Sequence, residues 1–164
     1  MITIKNATLA DIPDIQRIAE KTWWPVYSLI ITPEQIQYML DAIYSTEALH
    51  KVMESGSQTF IMLSDEFGPQ GFAAYGQRIE NPNICKLHKI YIIPDNHGKG
   101  YGKMMIEDIK TRIGVQGIRT LDLNVNRYNP AKSFYEKIGF KVIGEEDVPI
   151  GPYWMNDYVM RLEF

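Results

Sequence analysis

The chain has 164 residues, 45% hydrophobic and 23% charged, with a net charge of −3 and one cysteine. That length supports one domain with its own core, and the composition is that of a soluble globular protein. The acidic surplus argues against nucleic acid as a partner, because phosphate backbones need a concentrated basic surface. Cys85 stands alone, so no internal disulfide forms and a reducing compartment suits the chain; no His and acidic partner can be assigned to make it a nucleophile. No apolar run approaches the ~20 residues that span a bilayer.

Ile2–Ala7 alternates apolar and polar residues and predicts a strand. It has no basic start followed by an apolar block, so no secretion leader is expected and the location is expected to be cytoplasmic. Asp11 is the expected cap of a helix with Pro13 in its first turn and Ile12, Ile15, Ile18 and Ala19 on one face. Trp23, Trp24, Pro25 and Tyr27 are expected just past it. Thr32-Pro33-Glu34-Gln35 is a capping-box start, and Ile36, Met39, Leu40 and Ile43 form the stripe that follows. A shorter helix runs from about Thr46 to near Gly56.

Thr59–Ser64 and Gly71–Arg78 flank a turn-forming Asp65–Pro69 stretch and predict a hairpin. Ile84–Ile93 is a long strand, Gly100–Arg112 a helix and Leu121–Val125 a strand. Asn129, Pro130 and Gly139 punctuate a short helix as its N-cap, first residue and left-handed end. Phe140–Glu146 and Asp157–Leu162 are closing strands. No repeat or linker divides the sequence, so residues 1–164 are read as one domain, a mixed α/β layered sheet.

The segment from Ile90 to Lys103 carries the strongest chemical signal. A buried strand is stopped by Pro94, and Gly98, Gly100 and Gly102 then lead into a helix. Glycines let the backbone turn sharply and approach a ligand. The free N–H groups of a helix start favour phosphate or pyrophosphate. A Walker loop is excluded because Met104, not Ser or Thr, follows Lys103. A dinucleotide fingerprint fails because its third glycine position falls on Lys103 or Met105.

His97-Gly98-Lys99-Gly100-Tyr101-Gly102 resembles the acetyl-CoA signature of the GNAT N-acetyltransferases, Gln/Arg-x-x-Gly-x-Gly/Ala. The stretch from Asn129 and Ala131 through Phe134-Tyr135 to Gly139-Phe140 resembles that family's second motif. The match covers roughly residues 86–140. Asp157-Tyr158-Val159-Met160 and the middle of the chain are most similar to the bacterial spermine/spermidine acetyltransferase subgroup. His97 stands where the family usually has Gln or Arg, and a neutral imidazole holds phosphate less strongly than a guanidinium. The resemblance implies a central, mostly antiparallel mixed sheet of six to seven strands with helices on both faces. It also implies acetyl-CoA as cofactor.

Acetyl transfer to an amine needs an anchored pyrophosphate, a polarised thioester carbonyl, a deprotonated amine and a protonated leaving thiolate. Backbone amides from His97 to Lys103 are expected to do the anchoring, with charge from Lys99 and Lys103. The resemblance implies that Ile90, Tyr91 and Ile92 pair with the pantetheine arm and supply an oxyanion-holding N–H. It implies that Tyr135 is the general acid and that Asn129 touches the cofactor. His88, two residues before Ile90 and on the same face by alternation, is the expected base, since an imidazole with a pKa of ~6.5 is matched to neutral pH.

Candidates for the acceptor site are Trp23, Trp24, Tyr27 and Tyr44, with the loop from Glu145 to Trp154. Glu145, Glu146 and Asp157 can attract a polyamine, and aromatic faces can hold its cations. The expected activity is N-acetylation of a small-molecule primary amine by direct attack in a ternary complex. The alternatives are a non-catalytic acyl-CoA-binding regulatory module and an acetyltransferase acting on a protein N-terminus or lysine. No metal is expected, and a homodimer is allowed.

Overall fold

The elements that form in a computed structural model describing residues 1–164 are, in chain order, β1 (Thr3–Asn6), α1 (Ile12–Tyr27), α2 (Pro33–Tyr44), α3 (Thr46–Ser55), β2 (Thr59–Asp65) and β3 (Gly68–Gln77). They continue as β4 (Cys85–Ile92), α4 (Tyr101–Val115), β5 (Thr120–Asn126), α5 (Ala131–Ile138), β6 (Lys141–Ile150) and β7 (Tyr153–Glu163). All seven strands share one sheet in the order β1-β2-β3-β4-β5-β7-β6. Every neighbouring pair is antiparallel except β4 and β5. The expected mixed, mostly antiparallel sheet is therefore present, with seven strands.

Strand alternation sends apolar residues to both faces, and each face has its own helices. Ile61, Leu63, Ala73, Leu87, Leu121, Leu123 and Met160 pack with Met105, Ile106 and Ile109 of α4 and Tyr135 of α5. Phe60, Met62, Phe72 and Ala74 pack on the opposite face with Ile15, Ile18, Ile36, Met39 and Leu49 of α1–α3. Burying one such side chain is worth about 1.5–3 kcal/mol, so the two layers dominate stability.

Local sequence sets most boundaries. Thr32 Oγ1 accepts from the Gln35 N–H at 3.2 Å and Ser45 Oγ from the Ala48 N–H at 3.1 Å, each capping a helix. Gly56 closes α3 with φ +73°. Asp11 does less than expected: its carboxylate accepts the Thr8 N–H at 2.8 Å, on the turn before α1.

Two expectations on extent are corrected. The helix α1 does not stop after Ala19 but includes Trp23, Trp24, Pro25 and Tyr27. Residues 19, 23 and 27 fall one turn apart, and all three are buried. Burial of Trp23 and Tyr27 outweighs the cost of about 3 kcal/mol that an internal proline imposes. The stretch from Glu145 to Trp154 is not a loop. β6 and β7 pair as far as Ile150 opposite Tyr153, leaving only Gly151 and Pro152 as the turn. Pro149 is tolerated because β6 is an edge strand.

Candidate active site

The sheet parts in its middle. β4 and β5 pair only over Cys85–Leu87 opposite Leu121–Leu123. Beyond Leu87, β4 stays with β3 as far as Ile92, while β5 stays with β7 as far as Asn126. The register of β3 against β4 slips between Ala74 and Tyr75, which pair with Lys89 and Leu87. His88 is the extra residue of this bulge. Bulges bend a strand and increase its twist, which accounts for the parting. The β5-side edge of residues 88–92 is left facing a gap.

The glycine-rich turn lies at the end of β4. Gly98 and Gly100 have φ of +86° and +81°, conformations that favour glycine. The His97 N–H is already donated to Pro94 O at 3.0 Å and the Lys99 N–H to Asn96 O at 3.3 Å. The expected run of ligand-binding amides from 97 to 103 therefore narrows to Gly98, Gly100, Tyr101, Gly102 and Lys103. The first main-chain bond of α4 is from Met104 N to Gly100 O, so the amides before it are the helix's free donors.

The side chains of this turn are spent on holding it. His97 Nε2 lies 3.1 Å from Ile92 O. Lys99 Nζ donates to Asn96 Oδ1 at 2.8 Å, and Asn96 Nδ2 donates to Gln70 Oε1 at 2.7 Å. The Tyr101 hydroxyl donates to Asp65 Oδ2 at 2.8 Å. The β2–β3 hairpin thus braces the turn, a support that the local motif does not reveal. Lys103 remains exposed on the first turn of α4.

Tyr135 projects from α5 into the core between the rings of Phe134 and Phe140, at 5.3 and 5.8 Å. Burial, then the neighbouring Tyr27, raises its phenol above the ordinary tyrosine range. It is fully protonated at neutral pH. Asn129 Oδ1 accepts the Ala131 N–H at 2.9 Å, capping α5 from one residue further out than Pro130.

Across the sheet, the Trp23 ring packs at a tilt against Tyr27 at 4.5 Å and lies 6.1 Å from both Tyr44 and Tyr91. Ile90 and Ile92 pack on the α4 side, whereas Tyr91 packs on the α1 side. Burial raises the phenol of Tyr27, with Tyr91, Asp157 and Asn129 as its further influences. Burial also raises Tyr91, with Tyr27, Tyr44 and Tyr135 next. These phenols lie close enough to influence one another, Tyr135 acting on Tyr91, Tyr27 on both, and Asp157 on Tyr27. Trp24 lies apart and donates its indole N–H to Glu20 at 3.1 Å.

The acidic candidates also divide. Asp157 lies opposite Glu146, whereas Glu145 lies opposite Tyr158, whose ring packs on the α4–α5 side. Glu145 pairs with Arg127 at 3.7 Å and is exposed. Asp157 is buried and its carboxyl is raised by desolvation, against a hydrogen bond from Asn124 and the charge of Lys86. Asn124 is a residue that motif reading misses. Its signal is the alternation of Leu121–Asn126, which puts Asp122, Asn124 and Asn126 on one strand face.

His88 cannot be placed by alternation, because it is the bulge residue. It keeps solvent access, yet enough protein surrounds its ring that desolvation, then Lys86, Lys89 and Arg78, push its pKa down to about 3. It is neutral at pH 7 but holds a proton poorly. No group of His, Cys, Asp and Glu has a metal-holding arrangement, and no helix is long and apolar enough to cross a membrane.

The chain is similar to several acetyltransferases. The spermidine N(1)-acetyltransferase of Thermoplasma acidophilum is 27% identical over 143 residues, 86% of this chain and 89% of that protein. A peptidyl-lysine N-acetyltransferase of Salmonella typhimurium is 34% identical over 91 residues, 54% of each chain. The crystal structure of PaiA N-acetyltransferase from T. acidophilum in complex with coenzyme A superposes with a TM-score of 0.84 at 25% identity, covering 100% of this chain and 99% of that one. The model of the acetyltransferase (GNAT) domain matches residues 30–156, most of the sequence, and the chain belongs to that family of N-acetyltransferases.

Proposed function

We propose that this protein moves an acetyl group from acetyl-CoA to a primary amine by direct attack in a ternary complex, with a polyamine as the best-supported acceptor. The observation that carries the reading is the parting of β4 and β5 after Leu87, at the sheet end where α4 offers free amides. The coenzyme-bound PaiA relative and the spermidine-acetylating relative support it.

The residues present fit the cofactor. The amides of Gly98, Gly100, Tyr101, Gly102 and Lys103 suit a diphosphate, and the Lys103 ammonium adds charge. The unpaired edge of β4 at Ile90, Tyr91 and Ile92 suits an extended amide-bearing arm, as one more strand would. Acetyl-CoA, when bound, supplies the acetyl group as a thioester. Tyr135 stays protonated and donates its hydroxyl proton to the leaving sulfur. Asn129 holds the first turn of α5 and hence Tyr135 in place. Trp23, Tyr27 and Tyr91 wall the acceptor side, and Asp157 and Glu146 favour a cationic amine there.

The test is thiol release from acetyl-CoA with spermidine, spermine, a monoamine and a lysine peptide. Amine-dependent release, greatest with a polyamine, supports the reading. Background rates with every amine, while coenzyme A binds, contradict it. The peptidyl-lysine relative favours a protein lysine as the second reading, and preference for the peptide would establish it.

A further inference from the structure

The Asn124 side chain spends both amide hydrogens on carboxylates, donating to Glu146 Oε1 at 2.8 Å and to Asp157 Oδ2 at 3.2 Å. That fixes the amide's orientation, because the reversed amide would set an oxygen against two anions. Its Oδ1 is left buried with no donor. A buried acceptor without a partner is destabilising, and an N–H from outside the protein is what it lacks.

Asp157 stands beside it with 8% of its surface exposed. The groups facing its carboxylate are Asn124 from β5, Lys86 from β4, Glu146 from β6, Arg127 after β5 and Tyr27 from α1. No cation forms a salt bridge with it. Asp122, on the same strand face as Asn124, is the contrast. Arg161 holds it at 2.7 Å and Arg78 at 3.0 Å, so it is committed to structure. A buried carboxylate without an ion-pair partner is costly to keep, and such groups cluster at functional sites.

We propose that Asp157 is the general base, taking the proton of the acceptor ammonium while Asn124 Oδ1 accepts a second N–H of the same nitrogen. The assignment rests on the acetyl-transfer reading above. The ammonium loses one proton to Asp157. The freed lone pair forms the N–C bond to the thioester carbon, and the C–S bond breaks. The sulfur takes the Tyr135 hydroxyl proton, and the surplus proton on nitrogen restores the phenol through solvent. Asp157 returns its proton to water. The acetylated amine, the thiol and one released proton balance the step.

The experiment compares wild type, Asp157→Asn and His88→Ala with spermidine and acetyl-CoA across pH, together with a carbon-13 carboxyl titration of the coenzyme-free protein. Asp157→Asn is expected to lower kcat by about 10²–10⁴-fold, to remove the acid limb of kcat/KM and to leave coenzyme A affinity unchanged. It is also expected to delete a carboxyl signal that titrates above the usual aspartate range. Three results overturn the assignment: a kcat within threefold of wild type with the limb intact, an effect confined to the KM for spermidine, or loss of the limb in His88→Ala. Silence of wild type with every amine instead sinks the transfer reading and Asp157 with it.

Discussion

The ring of Phe134 closes over Gly102: a β-carbon on that glycine would stand 3.0 Å from Phe134 Cζ. The first turn of α4 and the helix that carries Tyr135 are fitted to each other through this contact. The two sequence motifs therefore meet as one packed unit. Gly102→Ala is expected to push Phe134 and lower coenzyme A affinity about tenfold, since overpacking costs about 1–3 kcal/mol. Phe134→Ala in the same chain is expected to restore most of it. Calorimetric titration checks both, and an unchanged Kd in the single variant contradicts the coupling.

Tyr135→Phe removes only a hydroxyl and keeps the ring between Phe134 and Phe140. Turnover is expected to fall about 10²-fold, the lower end for a lost general acid. Coenzyme A affinity is expected to stay within twofold. Steady-state kinetics beside calorimetry separates the two, and an unchanged kcat removes Tyr135 from the chemistry.

Asp122 ties β5 to β7 through Arg161 and to the residue just past β3 through Arg78. Burial works to raise its carboxyl, but hydrogen bonds from Arg161 and Arg78 outweigh burial and leave it below the usual range. A depressed carboxyl contributes stability that is present above the unfolded pKa of ~3.9 and is lost as pH falls through the folded value. Stability is therefore expected to fall as pH drops below about 4 and to be lost as Asp122 takes up its proton at its lower folded value. Asp122→Asn is expected to cost about 3–5 kcal/mol at neutral pH, because two guanidinium groups lose their partner. Urea denaturation measures it; a loss below about 1 kcal/mol would mark the cluster as a surface-like pair.

Asp157 gives the opposite sign. A raised carboxyl contributes stability below the unfolded pKa that is lost as pH rises through the folded value. Above that value the charged, buried group is a burden. Asp157→Asn is expected to melt no lower than wild type at pH 7, which separates its loss of turnover from misfolding. A melting temperature several degrees lower contradicts this.

The β6–β7 hairpin is seated on α2. Gln35 Nε2 donates to Trp154 O at 2.8 Å, the Tyr38 ring lies 5.3 Å from Tyr153, and Tyr38 occupies the space beside Gly151, whose φ is +57°. Gly151→Ala is expected to cost about 1–2 kcal/mol from the left-handed backbone alone. Displacing the hairpin that carries Asp157 and Glu146 is expected to raise the KM for the amine while coenzyme A affinity holds. Equal loss of both affinities would show that the hairpin serves the whole fold.

Alternation, stripes and caps reveal the order of elements, because each is a local signal: Thr32, Ser45 and Gly56 act where they stand. The glycine turn is legible for the same reason, since Gly98 and Gly100 do adopt the backbone their residue type permits. What depends on distant partners is not legible. Sequence alone cannot show that His97 and Lys99 amides are consumed by Pro94 and Asn96. It cannot show that a bulge at His88 interrupts the count on which its placement rested. It offers Glu145 and Glu146 together as attractors of a polyamine, whereas strand register against Tyr158 and Asp157 puts them on opposite faces. The extent of α1 is misjudged because a local proline signal is outweighed by the burial of Trp23 and Tyr27.

The most direct measurement is stopped-assay detection of free thiol when acetyl-CoA and spermidine are mixed with the purified protein, with the acetylated amine identified by mass. The expected result is saturable, spermidine-dependent thiol release matched mole for mole by acetylspermidine. Binding of coenzyme A without amine-dependent release, across spermidine and every other amine tried, would contradict the catalytic account.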